Sequence, residues 1–261
     1  MKAGIFVADE RMSVLSDLLK KDLDVILIDE NDSMSELNQI AKRVDVLVFP
    51  PWGIDESGFV RMKERGIYVF DMLAHIKDSC VIFSGQESSF LSGLNQIVHF
   101  YMKDENVIKA NAKLTAQGIM GYLFSSSKTA VDQMKVDLIG TGRCALACAE
   151  LLDRCNIHYR YITRSQSQES GYIFYESWKA SDPYDIIINT APSTMVNQNV
   201  MNCWKNRKLV LDIATDFPFV EASCLKHPYL KLVKMKSIPA QVAPSKAAEI
   251  IAGFILKELK R

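Results

Sequence analysis

Residues 135–150 read KVDLIGTGRCALACAE, and this stretch decides the fold. An apolar run at 136–139 meets Gly140-Thr141-Gly142 and passes directly into a helical pattern at 143–154. Gly140 permits a tight turn, and Gly142 lacks the Cβ that would stand in the way of a pyrophosphate. The unpaired N–H groups of the helix start, aided by the helix dipole, then favour an anion. Ala145 takes the third position of a GxGxxA pattern, where a small residue lets helix and strand pack closely; Ala147, Cys148 and Ala149 keep the helix slim. A second strand at 159–162 completes a βαβ unit. In that context the glycine turn reads as a dinucleotide cradle and not merely as a structural turn. Arg143 and Cys144 open the helix, Arg143 either reaching the pyrophosphate or lying in solvent.

About twenty residues after the glycines, an NAD-preferring site carries Asp or Glu for the ribose 2′-hydroxyl. Here the second strand ends Tyr161-Ile162-Thr163-Arg164-Ser165, with no carboxylate before Glu169. Thr163 and Ser165 can donate to a 2′-phosphate, and Arg164 can pair with it and cover the adenine face. The pattern therefore predicts NADP(H) over NAD(H). Further on, Asn189-Thr190-Ala191-Pro192-Ser193 ends a DIIIN strand at 185–189. Its small residues let a dinucleotide lie across the strand tips, with Asn189 or Thr190 bonding the ribose. Asp212-Ile213-Ala214-Thr215 ends the next strand, beside the expected place of the nicotinamide ring, which adds Ala214 to the cofactor set.

Working outward, β-branched runs alternate with helical patterns, which predicts parallel sheets with crossover helices. Strands are expected at 3–8, 24–29 and 45–49, with helices at 12–21 and 33–43; 67–70 and 80–84 add two more strands. A helix is expected over 86–101 and another over 111–130. Strands follow at 172–175, 185–189, 209–213 and 230–235, and an amphipathic helix at 245–260 is expected to pack back on the first domain. The fold class is α/β in two domains: a flavodoxin-like parallel sheet, then a Rossmann domain. Boundaries fall at 1–112, joined by the closing helix 243–261, and at 113–242.

The chain has 261 residues with equal numbers of acidic and basic side chains, so no global field draws it to nucleic acid or to an anionic membrane. No apolar run reaches transmembrane length, and Asp9 and Glu10 come too early for a signal peptide, so a cytoplasmic location is expected. The six cysteines form no CxxC pair and read as free thiols. The four histidines lack metal-ligand spacing, and no metal site is expected.

Several segments, in order, resemble the A subunit of dipicolinate synthase. They are CVIFSG at 80–85, the stretch from Asn111 through TAQG at 115–118, IGTGR at 139–143, IINTAP at 187–192, LVLDIAT at 209–215 and IPAQVAPSKAAEII at 238–251. The resemblance implies an N-terminal catalytic domain like that of formate and glycerate dehydrogenases, a Rossmann domain, and a cleft between them. It also implies NADP-dependent oxidation of dihydrodipicolinate, or its hydrated precursor, to pyridine-2,6-dicarboxylate in the mother cell of a spore former. A flavoprotein-like B subunit is the implied partner, and two-domain dehydrogenases of this kind commonly form homodimers.

For a small dicarboxylate substrate, Arg11 and Lys246 are the candidate carboxylate contacts, with Ser84, Asn111 and Thr115 as polar residues of the cleft. The chain departs from the family in places. VADERM at 7–12 keeps Asp9 and Arg11 but has no glycine, and Ser245 stands where the family has the lysine, with Lys246 beside it. Gln117 replaces a glutamate and cannot act as a base. A shikimate-dehydrogenase-like NADP-dependent oxidoreductase is a second reading, suggested by IINTAPSTM. A third is a non-catalytic nucleotide-binding paralogue acting through a partner protein.

Overall fold

The computed structural model describes residues 1–165, 170–214 and 217–261. It divides into two units, Met1–Asn111 with Pro239–Arg261, and Ala112–Ile238. The first division falls within a long helix, Glu105–Ser126.

The first unit holds β1 (Lys2–Phe6), β2 (Asp24–Ile28), β3 (Val46–Val48), β4 (Phe59–Arg61), β5 (Gly66–Tyr68), β6 (Val81–Ser84) and β7 (Ile97–Phe100). Five of these form a parallel sheet in the order β2-β1-β3-β6-β7. With the hairpin set aside, this is the 2-1-3-4-5 order of flavodoxin-like folds, with its switch point between β1 and β3. β1 and β3 are buried on both faces, as central parallel strands require. Helix Glu10–Leu19 follows β1, capped by the Asp9 carboxylate accepting from Met12 N. Helix Met34–Arg43 begins on a capping box between Ser33 and Glu36, and Lys42 and Arg43 face the negative end of its dipole. The closing helix, Pro244–Leu259, buries Ala248, Ile251, Ala252 and Ile255 against Met12, Leu15 and Leu19, as its amphipathic pattern predicts.

Two expectations for this unit are corrected. Residues 86–101 do not form one helix: a single turn, Ser89–Ser92, stops at Gly93, and Ile97–Phe100 then forms edge strand β7. Leu91, Leu94, Val98 and Tyr101 recur at helical spacing by coincidence, while the β-branched pair Ile97-Val98 takes the pleat beside β6. The strand expected at 67–70 lies outside the parallel sheet. As β5 it pairs antiparallel with β4, a strand the sequence pattern did not disclose.

The second unit contains β8 (Lys135–Ile139), β9 (His158–Thr163), β10 (Tyr172–Phe174), β11 (Ile186–Asn189), β12 (Lys208–Asp212) and β13 (Leu230–Lys234). All pair in parallel in the order β10-β9-β8-β11-β12-β13, the 3-2-1-4-5-6 order of dinucleotide-binding sheets. Helix Arg143–Arg154 buries Ala145, Ala147, Cys148, Ala149 and Leu152 against the sheet. The fully buried Asp137 of β8 ties the layers together. Its oxygens accept from Arg160 Nε at 2.6 Å, Trp178 Nε1 at 2.7 Å and Tyr184 N at 3.0 Å.

Candidate functional site

The order of the second sheet reverses between β8 and β11, and ligands of open α/β sheets lie at such a point outside the carboxyl ends of the strands. Gly140 leaves β8 there at φ +99°, a conformation that favours glycine. Its N–H donates to Ile162 O of β9 at 3.0 Å, while Thr190 N donates to Ile139 O at 3.1 Å, so the turn is pinned on both sides. A Cβ on Gly140 would stand 2.8 Å from Thr190 Oγ1, and that hydroxyl itself donates to Ile139 O. Gly142 differs. It is the N-cap of helix Arg143–Arg154, has ordinary backbone geometry and no side-chain cap, and a Cβ there would meet nothing within 4 Å. The helix start is thus open to an anion.

A cavity of about 560 Å³ opens over this turn. Of the expected cofactor residues, Gly140, Thr141, Gly142, Thr163, Arg164, Ser165, Thr190, Ala191 and Pro192 line it together. Arg143, Cys144, Asn189 and Ala214 do not. Asn189 is fully buried and shapes the loop instead of facing the cavity. Its amide nitrogen donates to Asp212 Oδ1 at 2.8 Å and to Ala191 O at 3.1 Å, and its oxygen accepts from Ala191 N. Ala214 N donates to the same Asp212 oxygen. The other Asp212 oxygen is buried, has no hydrogen bond among the described residues, and lies 3.6 Å from Lys234 Nζ. At the β9 tip, Thr163 Oγ1 donates to Ser165 O at 2.6 Å, which leaves the exposed Arg164 and the Ser165 hydroxyl as the outward donors. Glu169, the first carboxylate after that tip, and Thr215, at the end of the LVLDIAT segment, lie outside the described residues.

Ile139, Ile162, Tyr172 and Met195 also line the cavity and were not anticipated. The two isoleucines are the last apolar residues of their strands, a signal the pattern carries. Tyr172, the first residue of β10, and Met195, from the loop after β11, leave none. A second hollow of similar size runs along β9 and β10 between Tyr159, Tyr161 and Tyr172, away from the glycine turn. Burial pushes the Cys144 thiol up and the Cys148 thiol to about 12, so both stay protonated near neutral pH and neither is a nucleophile.

The five candidate substrate residues sit on four different elements. Arg11 and Ser84 sit at the carboxyl edge of the first sheet, both buried. Arg11 is gripped by Asp9 at 2.7 to 3.3 Å, and Ser84 Oγ donates to Gln86 O at 2.9 Å. Asn111 and Thr115 lie one turn apart on helix Glu105–Ser126. Lys246, in the first turn of helix Pro244–Leu259, is largely exposed and paired with Glu249 at 2.8 Å. Among the described residues no group of His, Cys, Asp and Glu side chains could hold a metal, and no helix is long and apolar enough to cross a membrane.

Two parallel sheets of these orders, the second bearing a glycine turn at its switch point, define the fold of the two-domain nicotinamide-dependent dehydrogenases. A D-isomer specific 2-hydroxyacid dehydrogenase from Lactobacillus delbrueckii ssp. bulgaricus, solved in its NAD complexed form, superposes with a TM-score of 0.57 at 13% identity, covering 100% of this chain and 98% of that one. The structure of the dipicolinate synthase A subunit from Bacillus halodurans agrees further, with a TM-score of 0.81 at 18% identity over 100% of this chain and 98% of that one. In sequence, the chain is 24% identical to the dipicolinate synthase A subunit of Bacillus subtilis (strain 168) over 239 residues, 84% of this chain and 78% of the relative. No family model matches. The resemblance to the dipicolinate synthase A subunit read from the ordered segments is therefore borne out in both sequence and fold. At the coarse level the comparisons support an NAD(P)-dependent oxidoreductase and a nicotinamide cofactor.

Proposed function

We propose that this chain is an NADP(H)-dependent oxidoreductase of the dipicolinate synthase A type. It oxidises dihydrodipicolinate, or its hydrated precursor, to the aromatic dicarboxylate, in the mother-cell cytoplasm of a spore former and with a flavoprotein-like B subunit as partner. The observation that carries the reading is the glycine turn at the β8–β11 switch point, joined to a β9 tip with a cation where an NAD site has a carboxylate.

The residues present fit a dinucleotide. Gly142 presents an uncapped helix start with space where a side chain would be, and the cavity over it has the size of a ligand site. Arg164 and Ser165 would hold a 2′-phosphate through charge-assisted hydrogen bonds. The small residues Ala191 and Pro192 leave the strand tips clear, and the buried Asn189–Asp212 pair keeps that loop in place. A bound nicotinamide would accept a hydride from the dihydropyridine ring, which would also release a proton as it becomes aromatic. The protein then has mainly to hold two carboxylates and orient the ring, because aromatisation supplies the driving force. This fits a chain in which Gln117 stands where the family has a glutamate. The same substitution favours a second reading, a non-catalytic nucleotide-binding protein that acts through its partner.

The test is an assay of dihydrodipicolinate oxidation with NADP+, with and without the B subunit. Turnover in either arm is expected. Intact NADPH binding with no turnover in both arms would favour the non-catalytic reading.

A further inference from the structure

At the switch point of the first sheet, the segment after β1 brings Asp9, the N-cap, and Arg11, in the first turn of helix Glu10–Leu19, and the loop after β3 brings Trp52. A third contributor comes from the β4–β5 hairpin. Trp52 Nε1 donates to Arg61 O at 2.9 Å and so fastens the hairpin to the β3 loop. The Arg61 guanidinium is held 5.0 Å from the indole centroid, and the Arg11 guanidinium lies 5.9 Å from the same ring. Two cations gathered on one half-buried indole oppose each other, although each is attracted to the ring.

One of the two is compensated. Both Asp9 oxygens accept from Arg11 Nε, and one also takes Nη2, on a residue only 4% exposed. Among the described residues no such bond engages Arg11 Nη1 and no carboxylate pairs with Arg61. The cluster thus carries one excess positive charge and two planar forks with donors to spare. Guanidinium forks bind carboxylates with two parallel hydrogen bonds, and a buried, oriented fork does so with little loss of freedom.

We propose that Arg11 and Arg61, braced by Trp52, form a paired-guanidinium site for a dicarboxylate, one carboxylate at each fork. The proposal rests on the dicarboxylate-oxidising reading above and adds the residue that would distinguish a diacid from a monoacid. Arg11 is the fixed member, locked by Asp9. Arg61 is the selecting member, its position set by the Trp52 hydrogen bond.

The test uses the full chain and calorimetric titration at low salt with two probes, pyridine-2,6-dicarboxylate and pyridine-2-carboxylate. NADPH affinity is measured on the same samples. Wild type is expected to bind the diacid at least about tenfold more tightly than the monoacid. Arg61→Gln should bring that ratio close to one, with monoacid and NADPH affinities unchanged. Arg61→Lys should restore part of the preference, since it returns the charge without the fork. Trp52→Phe, which keeps a ring but removes the hydrogen bond, should fall between wild type and Arg61→Gln.

A ratio that survives Arg61→Gln overturns the paired site while the dicarboxylate reading stands. A wild type that binds NADPH but neither acid overturns both the paired site and the dicarboxylate substrate, and leaves the cofactor reading in place.

Discussion

Replacing Gly140 and Gly142 by alanine, one at a time, separates a glycine required by the fold from one required by the ligand. At Gly140 the new Cβ would meet Thr190 Oγ1 at 2.8 Å with the backbone at φ +99°. The strained backbone costs about 1–3 kcal/mol, and displacing the Thr190 hydroxyl from Ile139 O costs about 1 kcal/mol more. Gly140→Ala should therefore destabilise the second unit by roughly 2–4 kcal/mol, a fall in its melting temperature of roughly 5–15 °C. At Gly142 the new Cβ meets nothing within 4 Å, and φ is already −77°. Alanine caps a helix less well than glycine by about 0.5–1 kcal/mol, but it removes a similar amount of freedom from the unfolded chain, about 0.4–1 kcal/mol. The net change in stability should lie within about 0.5 kcal/mol of zero. On the proposed dinucleotide reading the methyl group would stand in the path of a pyrophosphate, and the loss of a hydrogen bond to a charged group is about 1.5–3 kcal/mol. NADPH affinity should fall between about tenfold and a hundredfold. Thermal melting followed by circular dichroism reads the first quantity, and quenching of NADPH fluorescence reads the second. A Gly142→Ala protein that binds NADPH as wild type does would refute the assignment of the turn.

Three further outcomes follow from single groups. Asp137→Ala strands the Arg160 guanidinium and leaves Trp178 Nε1 and Tyr184 N without their acceptor, so a loss of about 3–5 kcal/mol is expected in urea unfolding; a midpoint within error of wild type would show that the buried carboxylate does not tie the layers. Arg164→Gln should weaken NADPH binding by about tenfold and leave NADH affinity nearly unchanged, because only the 2′-phosphate loses its cation; equal losses for both would place Arg164 elsewhere on the ligand. Burial pushes the Cys80 thiol to about 11 and the Cys148 thiol to about 12, against 9.0 for an ordinary thiol. Between pH 9 and those values the folded chain keeps protons that the unfolded chain has lost, so stability should decline as pH rises through that window. Cys80→Ala and Cys148→Ala should each flatten the alkaline slope measured by urea titration at stepped pH, and an unchanged slope would contradict the assignment.

The dinucleotide half was readable because its signals are local. KVDLIGTGRCA holds strand, turn and slim helix in eleven consecutive residues, and each is dictated by backbone geometry or close packing. The first unit was less so, for a physical reason. Residues 86–101 carry apolar side chains at helical spacing, and only pairing with β6, more than ten residues away, turns Ile97–Phe100 into a strand. The Trp52–Arg61 contact is invisible for a related cause. It exists because a hairpin outside the sheet folds back on the β3 loop, and neither β4 nor that return is written in local periodicity. Asn189 shows the limit of reading a strand tip: a polar side chain there was expected to face a ligand, and it turns inward to Asp212.

The central claim is that the Gly140–Gly142 turn and the β9 tip bind NADP(H) in preference to NAD(H). Titrating the purified chain with NADPH and with NADH, followed by fluorescence, tests it most directly. The structure predicts saturable binding of both, with NADPH tighter by about tenfold or more, the difference expected of one or two charge-assisted hydrogen bonds to a 2′-phosphate. Equal or tighter binding of NADH would contradict the preference, and failure of both to bind would contradict the site itself.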